Sequence, residues 1–231
     1  MLIDTMNSKE IMSEIFKDWT AVKKSINRLA NTYNNQRRKG NVSKLSNYSK
    51  SFEIKTARKN TWLLILSKAP SDDKYKGMSS INICSLIYFY GRLGLRVYRV
   101  EEEGHLTIYN GHLFTRYKER MDLNLVEPLD IVKHFFINNG YSIGKIVIRE
   151  GREYNLAISK DGLILGELQE DRTWLVCKTF ITKELMKSDQ QVEERQLLND
   201  LHKDIHQLLT DPNFNRSSYN HKADILKAIL S

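Results

Sequence analysis

His112, Arg116 and Arg120 stand four residues apart in the stretch Gly111-His112-Leu113-Phe114-Thr115-Arg116-Tyr117-Lys118-Glu119-Arg120. On a helix this spacing stacks the three side chains along one face with a slow drift. An imidazole exchanges a proton near neutral pH, and two guanidinium groups hold or neutralise a phosphate. Together they suit metal-free chemistry on a nucleic-acid backbone. A charged outer helix face, with Arg116 paired to Glu119 or Arg120 to Asp122, is the competing reading.

Other constellations carry less. His202 and His206 are four apart, as metal ligands on a helix can be, but no glutamate of the metalloprotease pattern lies between them. Glu101-Glu102-Glu103 is an acidic run in a tight turn, which solvent alone accounts for. The chain has no phosphate-cradling glycine loop, no serine elbow and no Cys/His zinc spacing, so no metal or cofactor is expected. Cys84 and Cys177 both sit in apolar runs and read as small buried hydrophobes of a reducing compartment.

The charge is uneven. Residues 1–60 hold 13 Lys/Arg and 5 Asp/Glu, while the remaining residues hold 23 of each, so the whole net charge of +8 lies in the first 60. That asymmetry fits a surface that meets phosphate, either nucleic acid or membrane headgroups, and equally a merely solvated basic helix, which charge alone does not separate from it. Arg37, Arg38 and Lys39 form a basic cluster able to clamp a backbone. Tyr48 and Phe52 are interleaved with Lys50, Lys55, Arg58 and Lys59, a loose pattern for stacking bases and holding phosphates. No apolar run reaches membrane-spanning length, and the N-terminal residues lack the pattern of a secretory signal, so a cytoplasmic protein without membrane contact is expected.

The elements that position these residues follow from periodicity. Ile11, Ile15, Trp19, Val22, Ile26 and Leu29 recur at helical spacing, predicting a helix over 8–33 capped by Ser8, then a polar linker. Thr61–Leu66, Ile81–Tyr90 and Leu95–Val100 read as strands, with a short return over 105–109. A helix over 112–122 follows, then a second with Pro128 in its first turn and Asn139-Gly140 closing it. Four strands come next, over 145–149, 153–159, 163–168 and 173–181, with Lys160-Asp161-Gly162 as a hairpin turn. From Thr182 the pattern is helical to about Thr210. The fold class is therefore α+β: an antiparallel meander sheet packed by two central helices, with an N-terminal basic helix and a long C-terminal helix. The expected organisation is a basic helical arm over 1–60, an α+β core over 61–182 and a helical extension over 183–231.

The string His112-x3-Arg116-x3-Arg120, a further helix, then strands ending in Thr173-Trp174-Leu175-Val176-Cys177-Lys178-Thr179-Phe180, resembles the barnase–EndoU–colicin–RelE superfamily of metal-independent ribonucleases. The likeness is to its phage- and mobile-element-associated branch and covers about residues 95–182. The resemblance implies that His112 works as general base or acid on the ribose 2′-hydroxyl. It implies that Arg116 and Arg120 stabilise the phosphorane-like transition state. Lys178 and Thr179 would face the same cleft and contact phosphate, and Tyr117 would stack a base. The segment before the meander is longer than the pattern, with Gly140-Tyr141-Ser142-Ile143-Gly144 as an extra loop, and residues 1–60 have no counterpart.

Two functions of different class follow. One is a metal-independent endoribonuclease acting on RNA, with a cognate inhibitor protein as a further partner. The other is a non-catalytic nucleic-acid-binding or interaction module on the same scaffold. A third reading makes the apolar stripe of residues 183–210 a homo-oligomer contact.

Overall fold

The computed structural model describes residues 1–38, 49–68, 81–101, 106–149, 151–168, 174–210, 222 and 229–230; within these, the side chains at 36–38, 68, 81, 149, 152, 205, 206 and 208–210 are left aside. The fold is α+β, as the periodicity predicts. The backbone divides into two compact units, Met1–Lys68 with Ile81–Gly111, and the chain from His112 onward.

In the first unit, helix α1 (Ser8–Arg38) precedes five strands: β1 (Ser49–Lys55), β2 (Thr61–Lys68), β3 (Ile81–Gly91), β4 (Gly94–Val100) and β5 (Leu106–Asn110). Each pairs antiparallel with the next. Asn7, not Ser8, caps α1. Its side-chain oxygen accepts from the Glu10 amide at 3.1 Å, while Glu10 accepts from the Asn7 amide at 2.8 Å, a reciprocal box that satisfies two orphan donors. The helix also runs five residues beyond Tyr33, so the expected linker begins as helix. Ile11, Ile15 and Val22 are buried on the side where Trp19 meets Trp62 of β2 at 5.8 Å between ring centroids. Strand β1 was not expected. Its residues Ser-Lys-Ser-Phe-Glu-Ile-Lys carry only two apolar side chains, each half-buried, and pairing with the apolar β2 makes it a strand. Residues 1–38 and 49–60 thus share one compact unit with β2 to β5.

The second unit holds α2 (Gly111–Arg120) from His112 on, α3 (Pro128–Asn139), β6 (Ser142–Arg149), β7 (Arg152–Ser159), β8 (Gly162–Leu168), β9 (Trp174–Thr182) and α4 (Ser188–Thr210). Strands β6 to β9 form an antiparallel meander. Pro128 opens α3 as expected, but Gly140 keeps right-handed backbone at φ −63°, so the helix ends without a left-handed glycine. Ser142, Ile143 and Gly144, read as part of an extra loop, pair with β7 as the start of β6. Gly162 lies at φ +158°, and a Cβ there would collide with the Ile181 carbonyl oxygen, so the hairpin turn needs glycine.

The two faces of this meander have different cores. On one, Phe180 of β9 meets Tyr117 of α2 and Phe135 of α3 edge-on at 5.0 and 6.2 Å, and Phe114 and Phe136 extend the aromatic cluster. On the other, Leu156, Ile158, Leu163 and Val147 pack with Met186, Leu197 and Leu201. A 3-10 turn over Lys183–Leu185 intervenes before α4, where unbroken helix from Thr182 was expected. Of the apolar stripe of α4, Leu197, Leu198 and Leu201 are thus taken up within their own unit, while the side chains of Ile205 and Leu208 lie outside the described residues. Val192 remains exposed. No helix among the described residues is long and apolar enough to cross a membrane.

Candidate nucleic-acid interface

Helix α2 presents its residues as the spacing predicts. Leu113, Phe114 and Tyr117 are buried, while His112 and Arg116 are exposed. Arg116 is held by Glu119 at 3.0 Å, the ion pair of the competing reading. Arg120 turns inward instead and donates to the Phe180 carbonyl oxygen, so its guanidinium braces α2 against β9. Tyr117 is fully enclosed among Phe135, Phe180 and His134 and has no free face for a base.

Lys178 and Thr179 do share a face, but not the one that carries α2. Thr179 pairs across from Leu165, and directly opposed residues lie on one side of a sheet. Leu165 and Ile181 pack on the cluster that holds Leu197 and Leu201, so Thr179 points to the α4 side. The register then slips by one residue: Leu165 opposes Thr179, whereas Gly166 opposes Cys177. Lys178 is the extra residue of this bulge and turns to the same side as Thr179, where it pairs with Glu167. Phe180, which receives α2 and α3, faces the other way. The histidine–arginine row and the Lys178–Thr179 pair are thus on opposite faces of one meander.

Tyr117 instead joins a polar network that spacing does not reveal. Its hydroxyl donates to Asp161 Oδ2 at 2.8 Å and lies 3.0 Å from His134 Nδ1. Asn139 closes the cluster, donating to Asp161 Oδ2 at 2.8 Å and accepting from the Asp161 amide at 3.1 Å. Burial, reinforced by the Asp161 carboxylate, pushes the Tyr117 phenol up, so it stays protonated. A hydroxyl has one proton, and the acceptor-only carboxylate takes it. His134 must then carry its proton on Nδ1 to meet the phenol oxygen. The cluster ties α2 and α3 to the β7–β8 hairpin.

Helix α1 is built differently. Two of its three acids, Glu14 and Asp18, point inward, while Glu10 of the first turn is exposed. Glu14 accepts from Arg58 Nε and Nη2 at 2.9 and 2.5 Å, and Asp18 Oδ2 accepts from Thr56 Oγ1, Asn60 Nδ2 and Trp62 Nε1 at 2.9, 2.7 and 3.3 Å. Both carboxylates are buried, and only this dense donation makes such burial affordable. The Arg58 guanidinium holds the Glu14 carboxyl down at about 2. The opposite face of α1 carries Lys9, Lys17, Lys23, Lys24 and Arg28, all exposed. Among the described residues none of these five is paired with a carboxylate. The side chains of Arg37 and Arg38, and all of Lys39, lie outside the described residues. Of the interleaved aromatic and basic set, Phe52 is half-buried on β1 and Lys50, Lys55, Arg58 and Lys59 are exposed.

No protein-family model matches the chain, and neither a curated protein nor a solved structure matches it significantly.

Proposed function

We propose that this protein binds RNA without cleaving it, through the outer face of α1. One observation carries the reading: beyond the exposed Glu10 of the first turn, the acids of α1 are turned inward and held by donors, which leaves the outer surface from Lys17 to Arg28 of one sign. A rigid row of cations tracks a phosphate backbone and releases its counterions, so binding is electrostatic and largely independent of sequence.

The catalytic reading keeps one observation in its favour, the exposed His112 with Arg116 one turn on. In that reading His112 moves the 2′-hydroxyl proton and Arg116 takes up phosphorane charge, while Arg120 positions α2. It lacks the phosphate contacts that the resemblance implies for Lys178 and Thr179, because both lie on the other face of the meander.

The test is RNA affinity against salt for wild type and for the double variant Lys17→Glu/Lys24→Glu, with RNA integrity followed in the same samples. Wild type should lose affinity steeply with salt, by a slope of about 0.7 per phosphate neutralised on a single strand. The double variant should flatten that slope. Affinity that ignores both salt and charge reversal would sink the proposal. Cleavage by wild type that disappears in His112→Ala and Arg116→Ala would replace it with the ribonuclease reading.

A further inference from the structure

The first unit contains a pocket of about 320 Å³ under α1, lined by Trp19, Lys23 and Ile26 of the helix, by Ile83, Cys84 and Ser85 of β3, and by Arg99, Val100 and Glu101. The sheet register explains it. The last β3–β4 pair toward this end is Leu86 with Arg99, so residues 83–85 and 100–101 have no strand partner between them, and α1 roofs the gap. Its volume falls in the range of pre-formed small-molecule sites.

The lining is specific in kind. Trp19 is partly exposed and offers an aromatic wall. Lys23 lines the pocket, is exposed, and belongs to the basic row proposed to meet phosphate. Inside, the Arg99 guanidinium is 21% exposed and is held by Glu101 at 3.4 Å, so the two form a neutral polar pair in the wall. Ser85, itself buried, adds a hydroxyl, and Glu101 adds an exposed acceptor at the rim. An aromatic wall beside a cation, with neutral polar groups beneath, is the chemistry that takes a flat heterocycle attached to a phosphate.

We infer that this pocket receives one unstacked nucleotide of a single-stranded RNA lying along α1, its base against Trp19 and its phosphate at Lys23. The inference rests on the RNA-binding reading and adds to it a preference. A duplex cannot offer a base to a pocket without first losing its stacking and pairing, whereas a single strand can. The cationic row alone would draw a duplex at least as well.

The experiment compares a short oligoadenylate with duplex RNA of equal length, at one salt concentration, on the full chain. Adenosine monophosphate is titrated in parallel with tryptophan fluorescence as readout. Wild type should bind the single strand about tenfold more tightly than the duplex. Trp19→Leu should erase that preference and leave the salt-dependent remainder, Trp19→Phe should keep most of it, and Lys23→Ala should weaken quenching by the mononucleotide. Thermal melting of each variant separates loss of the pocket from loss of the fold. Equal affinity for both RNAs, or a preference unchanged in a folded Trp19→Leu, overturns the pocket and spares the electrostatic reading. If no RNA binds, the proposed function fails, and absence of quenching by the mononucleotide then overturns the pocket on its own.

Discussion

Tyr117 has one hydroxyl proton and two neighbours that could take it. Giving it to Asp161 fixes the tautomer of His134 and locks Tyr117 to segments 17 and 44 residues further along the chain. Tyr117→Phe keeps the ring in its aromatic cluster and removes only those bonds. It should lower unfolding free energy by about 1–3 kcal/mol, the cost of leaving buried polar groups short of a partner, as read by urea denaturation. His112→Ala, on an exposed position of the same helix, should stay within about 0.5 kcal/mol in the same assay. Equal losses at the two positions would contradict the placement of Tyr117. The shared exposed face of His112 and Arg116 was legible because helical period sets which side chains lie together, whereas the inward turn of Arg120 to the Phe180 carbonyl was not. The Tyr117 cluster was not, because it joins residues that no local period relates.

At the scale of elements, α1 shows how an amphipathic reading can be right about the apolar stripe and silent about the charges. Ile11, Ile15 and Val22 are buried as their spacing predicts, yet Glu14 and Asp18 are buried beside them. A pattern that sorts residues into apolar and polar assigns such acids to water. Their partners Arg58, Asn60 and Trp62 come from the β1–β2 turn and β2, elements that only the folded chain brings close. Because the Glu14 carboxyl is held at about 2 in the folded chain against an ordinary 4.5, its contribution is complete above that ordinary value and is lost as pH falls toward 2. Glu14→Gln should cost about 2 kcal/mol at neutral pH and flatten the acid limb of a stability–pH curve over that window. An acid limb as steep in the variant as in wild type would exclude this pair as its source. The β6 start was missed for a related reason: Ile143 is flanked by Ser142 and Gly144, which have little strand character of their own, and the three are strand because β7 lies beside them.

For the molecule as a whole, the α+β class was readable from the order of apolar periods, whereas the grouping into two units was not, since it depends on contacts distant in sequence. Each unit contains one cysteine, Cys84 in the first and Cys177 in the second, and both are buried and form no disulfide. Burial pushes the Cys84 thiol up to about 11, so it is a poor nucleophile at neutral pH. The native chain should therefore show no rapid reaction with a thiol reagent. Cys84→Ala and Cys177→Ala variants, each with one thiol left, should become reactive only as denaturant opens the unit that holds it. Rapid labelling of Cys177 without denaturant would mean that its unit opens under native conditions, and rapid labelling of Cys84 that reagent reaches it through such opening or through the pocket it lines.

The bulge at Lys178 also says something about which changes of length this strand can absorb. On either side of it, β9 keeps a strict alternation, and the bulge is the one place where two consecutive residues turn the same way. Losing Lys178 would join Cys177 directly to Thr179 and leave every other side chain of the strand on the face it already occupies. Losing a residue elsewhere in the strand would exchange inside for outside along everything that follows, Phe180 included, unless the bulge moved to compensate. A single-residue deletion is therefore expected to persist in a lineage of this chain at this position before any other in the strand, and the odd residue is a phase correction written into the length of the sequence.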